Sequence, residues 1–141
     1  MSSKAVLLIR AASVVALLQF VAHGAMFLRY TPKHGPAEVA VVEAMQSQRF
    51  NFGGSVRSYW DLYVGYGLLA ALTCLVEAVL LWQLATLLST ADAPVRPILA
   101  LIILANLGHI ALCWKYFFFV PMIPDAAIAA CLTVALLTWR V

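Results

Sequence analysis

The sequence predicts an all-α fold: an integral membrane four-helix bundle with a short interfacial helix in its first loop. Hydrophobic residues make up 65% of the 141 residues and charged residues 11%, whereas soluble domains average about 45–50% and about 25%. The apolar residues also fall into four separate stretches. We therefore expect a single transmembrane domain over residues 1–141, with spans at about 5–28, 62–88, 98–120 and 125–139.

The first apolar stretch is predicted to be a span that is not cleaved. It is longer than the apolar core of a secretory signal, and Arg10 interrupts it near its start. Gln19 and His23 are four residues apart, so they share one face of this helix. We expect both side chains to form hydrogen bonds across an interface with another helix.

The first loop, residues 29–61, is the only substantial one. Pro36 can occupy the first position of a new helix, which we place at about 36–49 on the membrane surface or over the mouth of the bundle. Gly53 and Gly54 follow it and predict a turn with backbone torsions that other residues resist.

Glu77 lies near the centre of the second span. An ionisable side chain at that depth is costly, so it normally faces the interior of a bundle and has a partner. Helical periodicity places several other polar residues on the same side of this span. They are Tyr63, Tyr66, Thr73 and Cys74.

The third span carries Asn106, His109 and Cys113, whose spacing of three and four residues puts them on one face. A tight turn separates it from the fourth span, which is rich in alanine and begins at about Asp125. At about 1.5 Å per residue, this last helix barely crosses the apolar core of a bilayer.

Helix rise indicates which polar residues meet. Measured from the side of the termini, Glu77 lies about 16 Å deep, His109 about 18 Å and Gln19 about 21 Å. With Asn106 they form one predicted cluster near the midplane, and His23 and Tyr66 belong to a second layer nearer the first loop. The candidate ligand-binding residues are therefore Glu77, His109, Asn106, Gln19, His23 and Tyr66.

A structural interpretation stands beside the functional one. A Glu77–His109 pair inside a bundle can be a hydrogen bond that sets the helix register and does nothing else. His23 can simply be hydrated at the interface. In the functional interpretation, a carboxyl and an imidazole in a dry pocket transfer a proton, or hold a polar headgroup while apolar walls hold its tail.

The sequence predicts no metal and no cofactor. The three cysteines lack metal-ligand spacing. Haem held by His23 or His109 would need both histidines at one depth, and they differ by about 9 Å. No nucleotide-binding, zinc-protease or hydrolase motif is present, and the net charge of +3 gives no reason to expect nucleic acid.

The layout of four short spans, a long first loop and few charges resembles the small bacterial DoxX-like membrane proteins. The stretch FNFGGSVRSYWDLYVGYGL is similar to one found in a bacterial four-span group. An acid in the second span with a membrane histidine also resembles the sterol-isomerase and sigma-2-receptor superfamily, in which membrane acids bind amine-like or carbocation-like species. That resemblance implies that Glu77 is the acid that binds such a species, with His109 or His23 as its neighbour.

We expect a non-enzymatic multi-pass protein of the bacterial inner membrane with its termini in the cytoplasm. It would bind a small lipophilic ligand such as a quinone or lipid in the interior polar site, or serve as an accessory subunit of a larger membrane complex. The alternative is an intramembrane isomerase or redox-associated enzyme that uses the pair of Glu77 and His109. The expected partners are the lipid bilayer and other membrane proteins or further copies of the chain.

Overall fold

The computed structural model describes residues 3–90 and 95–138 and is built mainly of helices. In chain order the elements are α1 (Ser3–Leu28), α2 (Pro36–Ser47), β1 (Arg49–Phe52), β2 (Ser55–Ser58), α3 (Tyr59–Thr90), α4 (Arg96–Tyr116) and α5 (Met122–Thr138). The helical fold class expected from the sequence is confirmed at this level.

Within the described residues, three segments are long and apolar enough to cross a membrane. They are Lys4–Leu28, Tyr59–Leu88 and Arg96–Tyr116. The apolar helix α5 has 17 residues, so its length is about 25 Å against a bilayer core of about 30 Å. By length and composition, α1, α3 and α4 are therefore the candidate membrane spans, and α5 is a shorter apolar helix.

The turn between α4 and α5 differs from its predicted position. The third span was expected to continue to residue 120, but α4 ends at Tyr116, where Phe117 leaves helical torsions at φ −126° and ψ −131°. Val120 precedes a proline and is disfavoured in a helix. Helix α5 then begins at Met122 and accommodates Pro124 in its first turn, where a backbone N–H has no intrahelical partner. Residue 139, the expected end of the fourth span, lies outside the described residues.

Helix α3 begins at Tyr59, earlier than the predicted residue 62, because a capping box precedes it. The backbone N–H of Ser58 donates to Asp61 Oδ2 at 2.8 Å, and the N–H of Asp61 donates to Ser58 Oγ at 3.1 Å. These reciprocal bonds satisfy N–H groups that the first helical turn leaves unpaired. The start of α3 is therefore set by local side-chain chemistry.

The first loop contains a β-hairpin that the sequence analysis described only as a turn. Helix α2 ends at Ser47 and not at 49, and β1 pairs with β2 in antiparallel register. Gly53 and Gly54 have φ values of 58° and 90°, which confirms the expected need for glycine. Two such residues match the right-handed twist of the flanking strands, so a hairpin forms.

The contacts divide the chain into two compact units: residues 1–19 with 74–141, called the core unit, and residues 20–73, called the loop unit. In the core unit, α1, α3, α4 and α5 all contribute to one apolar core. Its largest fully buried apolar side chains are Ile9, Leu81, Leu88, Leu99, Ile128 and Leu132. Ser13 Oγ donates to the carbonyl oxygen of Ala78 at 2.7 Å and ties α1 to α3.

In the loop unit, aromatic rings join the end of α1 to the start of α3. The Phe27 ring lies 5.1 Å from those of His23 and Tyr63, and the Tyr30 ring lies 5.2 Å from that of Trp60. None of the residues of α2 is buried. The aromatic contacts, rather than α2, therefore supply the packing of this unit.

Candidate functional site

A carboxylate and a carboxamide meet between α3 and α4 in the core unit. Asn106 Nδ2 donates to Glu77 Oε1 at 2.6 Å and also to the carbonyl oxygen of Ile102, one turn earlier in α4, at 3.0 Å. Asn106 is only 1% exposed, and Glu77 is half-buried. The second donation fixes the rotamer of Asn106, so its amide is already aimed at Glu77.

The other end of the Asn106 amide has no partner. Its Oδ1 is buried and accepts no hydrogen bond within the described residues. Both hydrogens of Nδ2 are already used. A buried amide oxygen without a donor is unusual, because it loses its hydration and gains nothing in return.

A second carboxylate–carboxamide pair joins α1 to α5. Gln19 Nε2 donates to Asp125 Oδ1 at 3.0 Å, and Asp125 is only 3% exposed. Asp125 also lies close enough to Glu77 for their charges to interact. On the basis of this electrostatic interaction we treat the two pairs together as the carboxylate site: Gln19, Glu77, Asn106 and Asp125.

Helix register explains why Asp125 reaches this level. Arg96 Nη2 lies 3.4 Å from the carbonyl oxygen of Leu136, to which it donates, so these two residues lie at a similar height. Asn106 is ten residues along α4 and Asp125 eleven residues back along α5. At about 1.5 Å per residue, both are roughly 15–17 Å from that contact.

The expected bond between Glu77 and His109 is replaced by the one from Asn106. His109 is exposed, and the described residues include no hydrogen bond between its ring and Glu77, although it lies within electrostatic reach of that carboxylate. Three residues along a helix correspond to a rotation of about 300°, which leaves His109 roughly 60° away from Asn106. Asn106 faces inward, so His109 is turned toward the outside.

His23 and Tyr66 belong to the loop unit and are described there. His23 is half-buried, with its ring against Phe27 at a centroid distance of 5.1 Å. Tyr66 is 72% exposed. Neither residue belongs to the compact unit that holds the carboxylate site.

Asp125 belongs to the carboxylate site, but the sequence analysis did not include it among the candidate ligand-binding residues. The sequence placed it at the end of a turn, because two prolines precede it closely. Pro124 was the available signal, since proline is favoured in the first turn of a helix and so indicates that α5 has already begun before Asp125. An acid inside the first turn of an apolar, alanine-rich helix is expected to face a neighbour.

The chemistry of the site is dominated by acceptors. The four carboxyl oxygens of Glu77 and Asp125 and the free Asn106 Oδ1 make five acceptor atoms, against four amide hydrogens of Asn106 and Gln19, of which three already donate to protein oxygens. A molecule entering the site would therefore have to bring hydrogen-bond donors. Among the described residues, no group of three or more His, Cys, Asp and Glu side chains is placed to hold a metal ion.

No family model, curated protein or solved structure matches this chain.

Proposed function

We propose that this is a multi-pass integral membrane protein in which α1, α3, α4 and α5 cross the bilayer as a four-helix bundle. The three long apolar segments support it, and so does the packing of the shorter apolar helix α5 along α4. The bacterial inner membrane is the compartment we propose, on the DoxX-like layout of the sequence.

The carboxylate site is proposed to bind a small lipophilic molecule that carries a hydrogen-bond donor, such as a hydroxyl or a protonated amine. The unpartnered Asn106 Oδ1 carries this proposal, because a donor from a ligand would satisfy it. Glu77, which shares a hydrogen bond with the same amide, supplies a further acceptor. The apolar helices around these residues suit the remainder of such a ligand.

The test is to extract the protein from its native membrane and identify bound small molecules by mass spectrometry. The wild-type protein should retain one molecule with a donor group, and Glu77→Gln and Asn106→Leu should lose it. Thr133→Val is the matched control, since Thr133 is exposed on α5 and bonds only to its own helix at the Ala129 carbonyl. Equal retention in all four proteins, or no bound molecule in any, would contradict the proposal.

A second candidate is an intramembrane enzyme in which Glu77 and His109 act as an acid–base pair. The observation that favours it is the electrostatic proximity of the exposed imidazole to the Glu77 carboxylate. In that case the bound molecule should change its mass or isomeric form during incubation, and His109→Ala should stop the change while leaving binding intact. An unchanged ligand in the wild-type protein would reject this candidate.

A further inference from the structure

An open groove lies where the hairpin meets the start of α3, entirely within the loop unit. Its volume is about 550 Å³. Along the chain, the residues that line it change from mainly charged, on the hairpin and in the first turn of α3, to apolar, further along α3. They are Arg49, Arg57, Trp60, Asp61, Val64, Gly65 and Leu68.

The charged end of the groove has a net positive charge. Its one acid, Asp61, already accepts a hydrogen bond from the Ser58 backbone in the capping box of α3. Arg57 uses one nitrogen, Nη1, to donate to the carbonyl oxygen of Val56 at 2.8 Å. The Arg49 guanidinium makes no hydrogen bond within the described residues, although its charge, like that of Arg57, interacts with the carboxylate of Asp61. Most of the ten N–H groups of the two guanidiniums are therefore available, and their planar fork suits phosphate oxygens.

The apolar end follows one face of α3. Leu68 comes four residues after Val64 and three after Gly65, so it neighbours both on the helix surface and the three form a strip along the helix. A Cβ built on Gly65 would meet no atom within 4 Å, so the strip is open there. Beyond it, α3 continues as the long apolar segment that ends at Leu88.

The surroundings of the groove match a membrane–water interface. Trp60 lines it, and Trp and Tyr are enriched at the level of the lipid headgroups. Nearby, the rings of Phe50 and Phe52 on β1 and of Tyr59 at the start of α3 contact one another at centroid distances of 5.2–6.1 Å and remain 37–52% exposed. Clustered exposed aromatic rings beside arginines suit the boundary between headgroups and acyl chains.

We propose that this groove is a binding site for one anionic phospholipid. The phosphate lies between the guanidiniums of Arg49 and Arg57, and one acyl chain follows the strip of Val64, Gly65 and Leu68. The net positive charge favours an anionic headgroup over a zwitterionic one, because the positive choline group would gain nothing there. This site is separate in sequence and in compact unit from the carboxylate site.

The test measures lipid binding to the purified full chain in neutral detergent by native mass spectrometry. The wild-type protein should bind phosphatidylglycerol at least about tenfold more tightly than phosphatidylcholine, and Arg49→Gln with Arg57→Gln should remove that preference. Arg29→Gln with Lys33→Gln is the matched control: it removes two exposed cations of the same unit that do not line the groove, and it should keep the preference.

A second pair of measurements separates a lipid site from a plain anion site. Gly65→Leu fills the apolar strip without changing the charge, so it should weaken phosphatidylglycerol binding and leave the melting temperature close to that of the wild type. Inorganic phosphate at the same concentration should not displace the lipid. Equal binding of the two lipids, an equal loss in the double control variant, full binding by Gly65→Leu or displacement by phosphate would each overturn the proposal.

Discussion

At the scale of single residues, Glu38 anchors the segment that leaves α1. Its carboxylate accepts a hydrogen bond from Tyr30 Oη, and its Oε2 accepts the backbone N–H groups of Lys33 and His34 at 2.6 Å each. The Tyr30 bond, followed by the backbone bond of His34, lowers the pKa of Glu38 to about 2, and the same tyrosine bond raises the pKa of Tyr30 to about 12. One carboxylate therefore holds three donors of residues 30–34.

These pKa shifts predict the pH range over which the hydrogen bonds of Glu38 stabilise the protein. A lowered carboxyl pKa contributes stability above the ordinary value of 4.5, and this is lost as pH falls toward about 2. A raised tyrosine pKa contributes stability below 10.0, and this is lost as pH rises through about 12. We expect an absorbance titration to show the ionisation of Tyr30 near pH 12, and Glu38→Gln should return the pKa of Tyr30 toward its ordinary value of 10.0.

The variant Tyr30→Phe shows which part of the titration curve comes from Tyr30. This variant should lack the ionisation near pH 12. If the wild-type protein and Glu38→Gln titrate alike, then the hydrogen bond between Tyr30 and Glu38 has no role in solution.

A second prediction concerns the bond between Asn106 and Glu77. Asn106→Leu leaves a half-buried carboxylate without its donor, so we expect a loss of about 1–3 kcal/mol in the free energy of unfolding. The double variant Asn106→Leu with Glu77→Leu removes both partners and should recover most of that loss. Thermal or chemical unfolding in detergent measures both, and strictly additive single effects would show that the two side chains are not coupled.

At the scale of elements, the approach of α1 to α3 in the loop unit depends on a glycine. A Cβ at Gly67 would lie 2.3 Å from a ring carbon of Phe27, far inside van der Waals contact. The Phe27 ring also contacts the rings of His23 and Tyr63, so its freedom to move away is restricted. The missing side chain at Gly67 is what makes room for Phe27.

We therefore predict opposite effects for two neighbouring glycines of α3. Gly67→Ala should destabilise the protein by about 1–3 kcal/mol, because it overpacks the contact with Phe27. Gly65→Ala meets open space and should be neutral or stabilising by up to about 1 kcal/mol through helix propensity. The two variants are compared by their melting temperatures, measured in the same detergent without added lipid. Equal effects of the two substitutions would contradict the close contact.

At the scale of the whole molecule, α4 and α5 run antiparallel to each other within the core unit, and this arrangement can be tested. Helix α4 packs along α5, and the Arg96–Leu136 contact brings the start of one to the end of the other. If α1, α3, α4 and α5 each cross the bilayer, then Lys4 and Thr138 lie on one side and the turn at Phe119 on the other.

Single cysteines test this arrangement in sealed vesicles. Lys4→Cys and Thr138→Cys should react with a membrane-impermeant thiol reagent from the same side, and Phe119→Cys from the opposite side. The unsubstituted protein reports the background from Cys74, Cys113 and Cys131, which are all partly buried. Labelling of Lys4→Cys and Thr138→Cys from opposite sides would mean an odd number of crossings.

Composition and hydropathy alone determined the helical class, the long apolar segments and the presence of polar residues inside them, because these depend on which residues are close in sequence. The turn at Gly53 and Gly54 could also be predicted from the sequence, because it depends only on the backbone torsions of those two residues. The hairpin around it required knowledge of strand pairing.

Only the tertiary structure decided which polar side chains meet. Periodicity places Asn106 and His109 on one broad face of α4, but it does not tell how α4 is rotated against α3, and a rotation of about 60° separates the two residues. The pairing of Gln19 with Asp125 depended on α5 beginning at Met122 and on its register along α4. Rotation and register are set by the packing of whole helix surfaces, which no local stretch of sequence contains.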